Sequence, residues 1–479
     1  ASDVYKRQGH FHDYFCPVHN LQFTFRWDKP LAQYCSACDK EWIGNNRYDW
    51  AWIYEVHMLN RDYMYQCMYL YLATGKRQYA DYIRTMLLDY AGKYAGWFEH
   101  NSGRKATDQH SGKAFAQSLD EANWATKVAM AYVAIKPVLS KEEVKAIEEG
   151  YLQPAATLLL HRPAGANWQM WHNSGLAALG IALENDSIVD VAINKDKYGY
   201  HYLIGKHKNS DGWINEGSPH YHYYPLEALL FTANAVKCRG IKLFDKDLHD
   251  MFVEPVKGTY PDLSFPAHSD GWYGANLLSQ SALYEVGNAR YNDPFLKRVL
   301  ELTYAQKKRL DPEALLSNQL IKASEESLLQ KSYSFDTSGF CLLRSDTRTV
   351  VLKFGGEGIG HGHPDKLSIT IHDGKNELVS DFGTSGYGVP DYLKWYKRTL
   401  SHNTVTVDAK DQKRSVGKLL KFNPRSDGGY AEAETTTAYP GVRMKRSLDL
   451  KGTHLQDVYT CTSDSSHLYE YVILFLSLI

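Results

Sequence analysis

GIGHGHPDKLSITIHDGKNELVSDFGTSGYG, residues 358–388, decides how the second half of the chain folds. From Leu367 to His372 apolar and polar side chains alternate with period two, the pattern of a half-buried strand, and Gly374 and Asn376 punctuate its end. Groups able to bind metal or carry protons crowd the edges of this run: His361, His363 and Asp365 before it, Asp381 after it. In an extended segment His361 and His363 point to the same side, because side chains alternate.

Working outward, GFCLLRS, TVVLKFGG, ELVSDFG and NTVTVDA repeat the short β-branched pattern between Gly, Asp and Asn turns. Residues 331–479 are therefore expected to form an antiparallel sheet or sandwich. Upstream the period is helical. YEVHMLNRDYMYQCMYLYLATGKRQYADYIRTMLLDYAGKY spaces its apolar residues by three and four and breaks at TGK, predicting a helix, a turn and a second helix. Pro137 ends a further helix, and the following SKEE reads as a capping signal. Successive helix pairs over residues 46–330 suggest an α/α toroid or a solenoid. Helices first and strands second is the segregated pattern of two packed modules, whose junction is a natural place for a cleft.

The 479 residues carry 54 basic and 55 acidic side chains, a balance that gives no electrostatic case for nucleic acid or an anionic membrane. No apolar run is long enough to span a bilayer. Aromatic residues make up 13% of the chain, and helical cores are expected to absorb most of them, leaving a few for a sugar-binding groove. The opening ASDVYKRQGH has neither Met nor a signal-peptide core and is set aside from fold reasoning. The closing YEYVILFLSLI reads as a strand in progress, so further chain is expected beyond it.

The seven cysteines do not form a disulfide framework by spacing. Within residues 1–45, however, Cys16, His19, Cys35 and Cys38 stand in a C-x2-H…C-x2-C arrangement, the ligand types of a small structural zinc site. Buried cysteines near a terminus are the competing reading.

Three segments concentrate chemical groups. In GANWQMWHNSGLAALG, His172 and Asn173 are expected near a helix N-terminus, where a base and an amide donor suit an anionic group. A core His and a capping Asn are the alternative. In DGWINEGSPHYHYYPLEALL, Pro219 and Pro225 bracket His220–Tyr224 in what reads as a stiff loop before a helix. In the opening stretch, His363 and Asp381, with His402 from SHNTVTVD, are three ligands that divalent zinc accepts.

Together, HGHPDKLSITIHDGKNELVSDFGTSGYG, SHNTVTVD, DGWINEGSPHYHYY and NWQMWHNSG resemble the heparinase II/III-like polysaccharide lyases, closest to the oligoalginate lyase and heparin-cleaving branch. The resemblance implies a multidomain protein, helical then β: an incomplete α/α toroid followed by an antiparallel β-sandwich, with substrate between them. It implies β-elimination on a uronic acid in a poly- or oligosaccharide, alginate or a glycosaminoglycan, by a periplasmic or secreted enzyme. Asn173 would bind the uronate carboxylate, with His172 as base or carboxylate partner. Tyr221 would be the acid and, for a syn substrate, also the base; Tyr223 or Tyr224 could take that place. His361 would assist in the cleft. Asn167, Glu216, His222, Tyr224 and Arg398 would line the substrate, and His363, Asp381 and His402 would hold a structural zinc or similar ion. A toroidal glycoside hydrolase and a non-catalytic glycan binder are the competing functions. A hydrolase needs two spaced carboxylates, whereas His, Tyr and Asn dominate these segments.

Overall fold

The computed structural model describes residues 13–19, 21–101, 110–317, 319–326, 328, 331–356, 360–387 and 391–475. The chain folds as two compact units, Ala1–Lys206 with Pro225–Asp245, and His207–Tyr224 with Lys246–Ile479.

The first unit opens with a two-stranded antiparallel hairpin, β1 (Ala32–Cys35) and β2 (Lys40–Ile43). Helices follow: α1 (Asn46–Thr74), α2 (Arg77–Tyr94), α3 (Ser118–Ile135), α4 (Lys141–Ile147), α5 (Gln153–Leu160), α6 (Ala166–Ala182), α7 (Asp186–Asn194) and α8 (Tyr200–His207). α9 (His220–Val236) begins in the second unit and ends in the first. The TGK break is the expected turn. Gly75 ends α1 with φ +67°, the left-handed conformation glycine adopts without steric cost, and α2 starts two residues on. The SKEE signal is also realised: the Ser140 hydroxyl accepts from the Glu143 N–H, and the Glu143 carboxylate accepts from the Ser140 N–H.

Aromatic rings fill the core of this unit, as the composition suggested. Fully buried Trp124 meets Tyr90 and Tyr151 edge-on, each at 4.9 Å between centroids. Beside it the buried Glu121 carboxylate accepts the N–H groups of Lys113, Ala114 and Phe115 and the Tyr94 hydroxyl. Burial still pushes its pKa up to about 7.

The second unit adds α10 (Lys246–Val256), α11 (Ser281–Tyr291) and α12 (Pro294–Gln306), and then the strands. These are β3 (Tyr333–Phe335), β4 (Phe340–Arg344), β5 (Thr349–Lys353), β6 (Ser368–His372), β7 (Glu377–Val379), β8 (Val405–Val407), β9 (Lys418–Arg425), β10 (Gly428–Tyr439), β11 (Val442–Lys451), β12 (His454–Ser463) and β13 (Tyr469–Tyr471). Antiparallel pairing gives the order β12-β11-β10-β4-β5-β6-β7, with β3 on β4 and a separate β13-β8 pair. Leu343, Val350, Leu352, Ile369, Ala431 and Leu448 lie in one buried apolar cluster. The five runs read from the sequence are β4 to β8. The end of YEYVILFLSLI beyond Phe475 lies outside the described residues. Among the described residues no helix is long and apolar enough to cross a membrane.

Candidate active site

The groups that could do chemistry in the second unit converge on one residue the sequence reading did not single out, Asp270. Its Oδ2 lies 3.0 Å from His361 Nδ1, and its Oδ1 lies 2.9 Å from His363 Nε2. The two histidines thus face one carboxylate, although the segment that carries them is a turn and not the extended run expected. Tyr387 donates to Oδ2 at 3.1 Å, and the Tyr392 hydroxyl is within 3.0 Å of both oxygens. Lys397 Nζ stands 3.8 Å away. Asp270 is fully buried, and burial alone would raise its pKa, but His361 and His363 outweigh it and hold the carboxyl well below the usual range.

The loop carrying Asp270 is fastened to the segments on either side. The Asp270 N–H donates to the His361 carbonyl at 3.0 Å, and the Thr384 N–H donates to the Gly271 carbonyl at 3.0 Å. Gly383, at φ +58°, permits that approach; a Cβ there would sit 1.9 Å from the Gly271 oxygen. Ser269, just before the hub, is itself left-handed at φ +57° and accepts a 2.6 Å hydrogen bond from Lys353. Strained backbone of this kind persists where surrounding contacts over-determine it, commonly at functional sites.

Tyr221 completes the cluster. Its ring stacks on His361, with centroids 3.5 Å apart, and its hydroxyl bonds that of Tyr387, which in turn lies 2.9 Å from His361 Nδ1. Burial, with smaller contributions from Asp270 and Glu216, keeps the Tyr221 phenol protonated far above neutral pH, against a lowering effect of the bond to Tyr387. Glu216 is buried, with Oε2 3.7 Å from His361 Nε2.

His220–Tyr224 are not the loop expected from the two prolines but the opening turns of α9, and helical geometry sorts them. Tyr221 faces the cluster, whereas Tyr223 is buried with its hydroxyl 3.1 Å from that of Tyr284. Tyr223 is thus part of the packing. His222, expected to line substrate, is also corrected. It is fully buried, accepts the Ile214 N–H at 3.2 Å and donates to the Met251 carbonyl at 2.9 Å, so both ring nitrogens are committed to backbone. Tyr224 is partly exposed, its ring parallel to that of His220 at 6.2 Å. Arg398 is half-exposed and ion-paired with Asp411 at 2.5 Å.

His172 and Asn173 belong to the first unit and also depart from expectation. α6 starts at Ala166, so both stand in mid-helix rather than at an N-terminus, and the helix dipole gives them no anion-binding role. His172 is fully buried, and burial lowers its pKa to about 4; a side chain so enclosed is packing, not a base for substrate. Asn173 accepts from Gln169 at 2.9 Å and donates to the Tyr198 carbonyl at 2.6 Å, which leaves one amide hydrogen. Asn167, in the first turn of the same helix, is buried.

Next to the hub lies a second polar group. Asp365, Asp381 and His402 bring ligand atoms within 4.8 Å of one another. Lys353 and Lys366 already neutralise Asp365. His363 points toward the same place, its ring 5.2 Å from that of His402. Because ionised Asp270 can only accept, His363 Nε2 carries the proton, and Nδ1 is left as a lone pair; it is buried without a hydrogen-bond partner. His402 mirrors this, with Nδ1 2.9 Å from Asp381 and Nε2 buried without a partner. Two orphaned imidazole nitrogens near the Asp381 carboxylate suit a divalent cation, and the Asp270 carboxylate behind His363 is the arrangement that orients a metal-bound imidazole. Asn403 holds the ligand segments in register by donating to the carbonyls of Ile369 and Ser380, both at 2.8 Å.

The comparisons with known proteins bear on family and fold. Residues 56–254 match the family model described as alginate lyase, and residues 328–467 match that of the heparinase II/III-like C-terminal domain. An alginate lyase of Stenotrophomonas maltophilia (strain K279a) is 30% identical over 441 residues, covering 82% of this chain and 58% of the relative. An exo-oligoalginate lyase of Saccharophagus degradans is 26% identical over 451 residues, covering 83% of this chain and 59% of the relative. A solved heparan sulfate lyase from Pedobacter heparinus superposes with a TM-score of 0.60 at 17% identity, over 97% of this chain and 73% of that one. The chain therefore matches the models of an alginate lyase domain and a heparinase II/III-like C-terminal domain, and its fold is the α/α toroid plus β-sandwich read from the sequence. It spans less than three fifths of the length of the two curated relatives.

Proposed function

We propose that this chain cleaves uronate-containing poly- or oligosaccharides by β-elimination, releasing units from a chain end as its exo-acting relative's name suggests. The observation that carries the proposal is the protonated Tyr221 phenol stacked on His361 and joined through Tyr387 to the Asp270 hub.

Elimination removes the proton from C5, breaks the bond from C4 to O4, and leaves a double bond between C4 and C5. The departing O4 needs a proton, and a phenol kept protonated by burial can supply it. His361 Nε2, the ring nitrogen not paired with Asp270, takes the C5 proton while Tyr221 gives its own to O4, and the proton then returns from His361 to the Tyr221 phenolate stacked on it. Asp270, held ionised, accepts from His361 Nδ1 and so fixes the orientation of its ring. The enolate-like charge that develops on the uronate carboxylate calls for hydrogen-bond donors. His363, Asp381 and His402 would hold a divalent ion whose part is to fix the loops that present His361 and Asp381.

The geometry disfavours a hydrolase. A hydrolytic acid must be a carboxyl held protonated, whereas His361, His363 and Lys397 hold Asp270 ionised against its burial. By its relatives' chemistry we assign the protein to the periplasm or the exterior. The test is absorbance in the conjugated uronate band during separate incubations with alginate oligomers, heparan sulfate, chondroitin sulfate and hyaluronan. A rise with at least one supports the lyase and names its polymer; silence on all four overturns the reading for these substrates.

A further inference from the structure

Far along the sequence from the hub, the N-terminal hairpin gathers a group that the proposed chemistry does not use. Cys16, His19, Cys35 and Cys38 bring three sulfurs and one imidazole nitrogen within 4.8 Å of one another. Cys16 Sγ lies 3.5 Å from Cys38 Sγ; His19 Nδ1 lies 3.0 Å from Cys38 Sγ and 3.9 Å from the sulfurs of Cys16 and Cys35. A tetrahedral zinc with bonds of about 2.3 Å to sulfur and about 2.0 Å to nitrogen has ligand-to-ligand edges of roughly 3.5–3.8 Å. The four atoms already approximate such a tetrahedron.

The surroundings fit a structural ion. The backbone N–H groups of Ala37 and Cys38 are directed at the Cys35 sulfur, as in a C-x2-C turn. Cys16 and Cys35 are buried and share a small apolar cluster with Tyr14, Phe23, Tyr48 and Trp52, the last two on α1. That cluster, with the Gln33 hydrogen bond to Asp49 on α1 and the Arg26–Glu41 ion pair, fastens strands of four residues each, and an isolated two-stranded hairpin is marginal in water. A metal crosslink joins Cys16 and His19, which precede the hairpin, to Cys35 and Cys38 at its turn. A disulfide would use only two of the four groups and leave the other cysteine and the histidine without a role.

We infer that Cys16, His19, Cys35 and Cys38 form a closed structural zinc site that pins the N-terminal hairpin onto the start of the helical unit. It is separate from the ion assigned to His363, Asp381 and His402, and it stands whether or not the chain is a lyase. With no open position it takes no part in turnover.

The test is elemental zinc analysis of the full chain, purified without chelator, alongside Cys35→Ser and His402→Ala. Cys35→Ser is expected to lose one zinc equivalent per chain that His402→Ala retains. Because Cys35→Ser can fail to fold, cobalt(II) exchange into the unaltered chain provides a second readout. Tetrahedral thiolate ligation gives a sulfur-to-cobalt charge-transfer band and intense visible d–d bands. Their presence supports the site. Their absence, an unchanged zinc content in folded Cys35→Ser, or a Cys16–Cys38 disulfide in a non-reducing peptide map overturns it.

Discussion

His361 Nδ1 and Asp270 Oδ2 lie 3.0 Å apart across 91 residues of sequence, and the other oxygen of the same carboxylate faces His363. One buried acid thus orients both the histidine next to Tyr221 and the histidine next to the candidate metal position. Asp270→Asn keeps the shape but places an amide donor or a weaker acceptor against each ring. It is expected to lower turnover and also to weaken divalent metal binding at His363 by about 10–100-fold, as loss of a carboxylate behind a metal-bound histidine does. Metal titration of the variant checks this; unchanged affinity would detach the hub from the metal position.

Tyr221→Phe is expected to lower kcat by about 10²–10⁴-fold with KM little changed, the usual weight of a general acid. Tyr223→Phe should retain turnover and lose about 1 kcal/mol of stability, since its hydroxyl bonds only Tyr284. Steady-state kinetics and thermal melts separate the two. The reverse pattern would move the catalytic role two residues along α9.

Stability should fall with acid well before the carboxylates titrate. Burial holds His222, His268 and His172 near a pKa of about 4, below the unfolded value of about 6.5. A depressed folded pKa means the stabilisation is complete above about pH 6.5 and is lost as pH falls toward 4, at about 1.4 kcal/mol per pH unit for each histidine. Below that, protonation of Asp270, Asp365 and Asp381, all held below the usual range, removes more. Urea midpoints measured from pH 7 to 4 should drop steeply, and His222→Gln should flatten the slope; a flat profile would contradict the burial of these rings as neutral groups.

The sequence made much of this legible where periodicity and turn chemistry agree. The helix pair broken by TGK, the Ser140 cap and the strands from β4 to β8 all follow from local pattern. The long strands β10 to β12 were not singled out, although Ala431, Ala433 and Thr435 alternate with Glu432 and Glu434 in β10. Paired HGH histidines, Tyr221 and His361 could be read from their motifs. Asp270 could not, because a lone Asp in PAHSDGWYG carries no signal until folding brings it to His361, and Tyr387 and Tyr392 were silent for the same reason. His172 and His222 were misread for the opposite reason: chemically capable residue types are also used for packing, and only burial distinguishes the two uses.

Elimination, as proposed, breaks the glycosidic bond without water entering the product. The most direct measurement is to digest a uronate oligosaccharide, identified by the absorbance screen, in heavy-oxygen water and weigh the products by mass spectrometry. The account predicts an unsaturated uronate at the new non-reducing end, product masses that sum to that of the substrate, and no solvent oxygen incorporated on cleavage. Products that together gain one water, with heavy oxygen at the cleaved position, would show hydrolysis and contradict it.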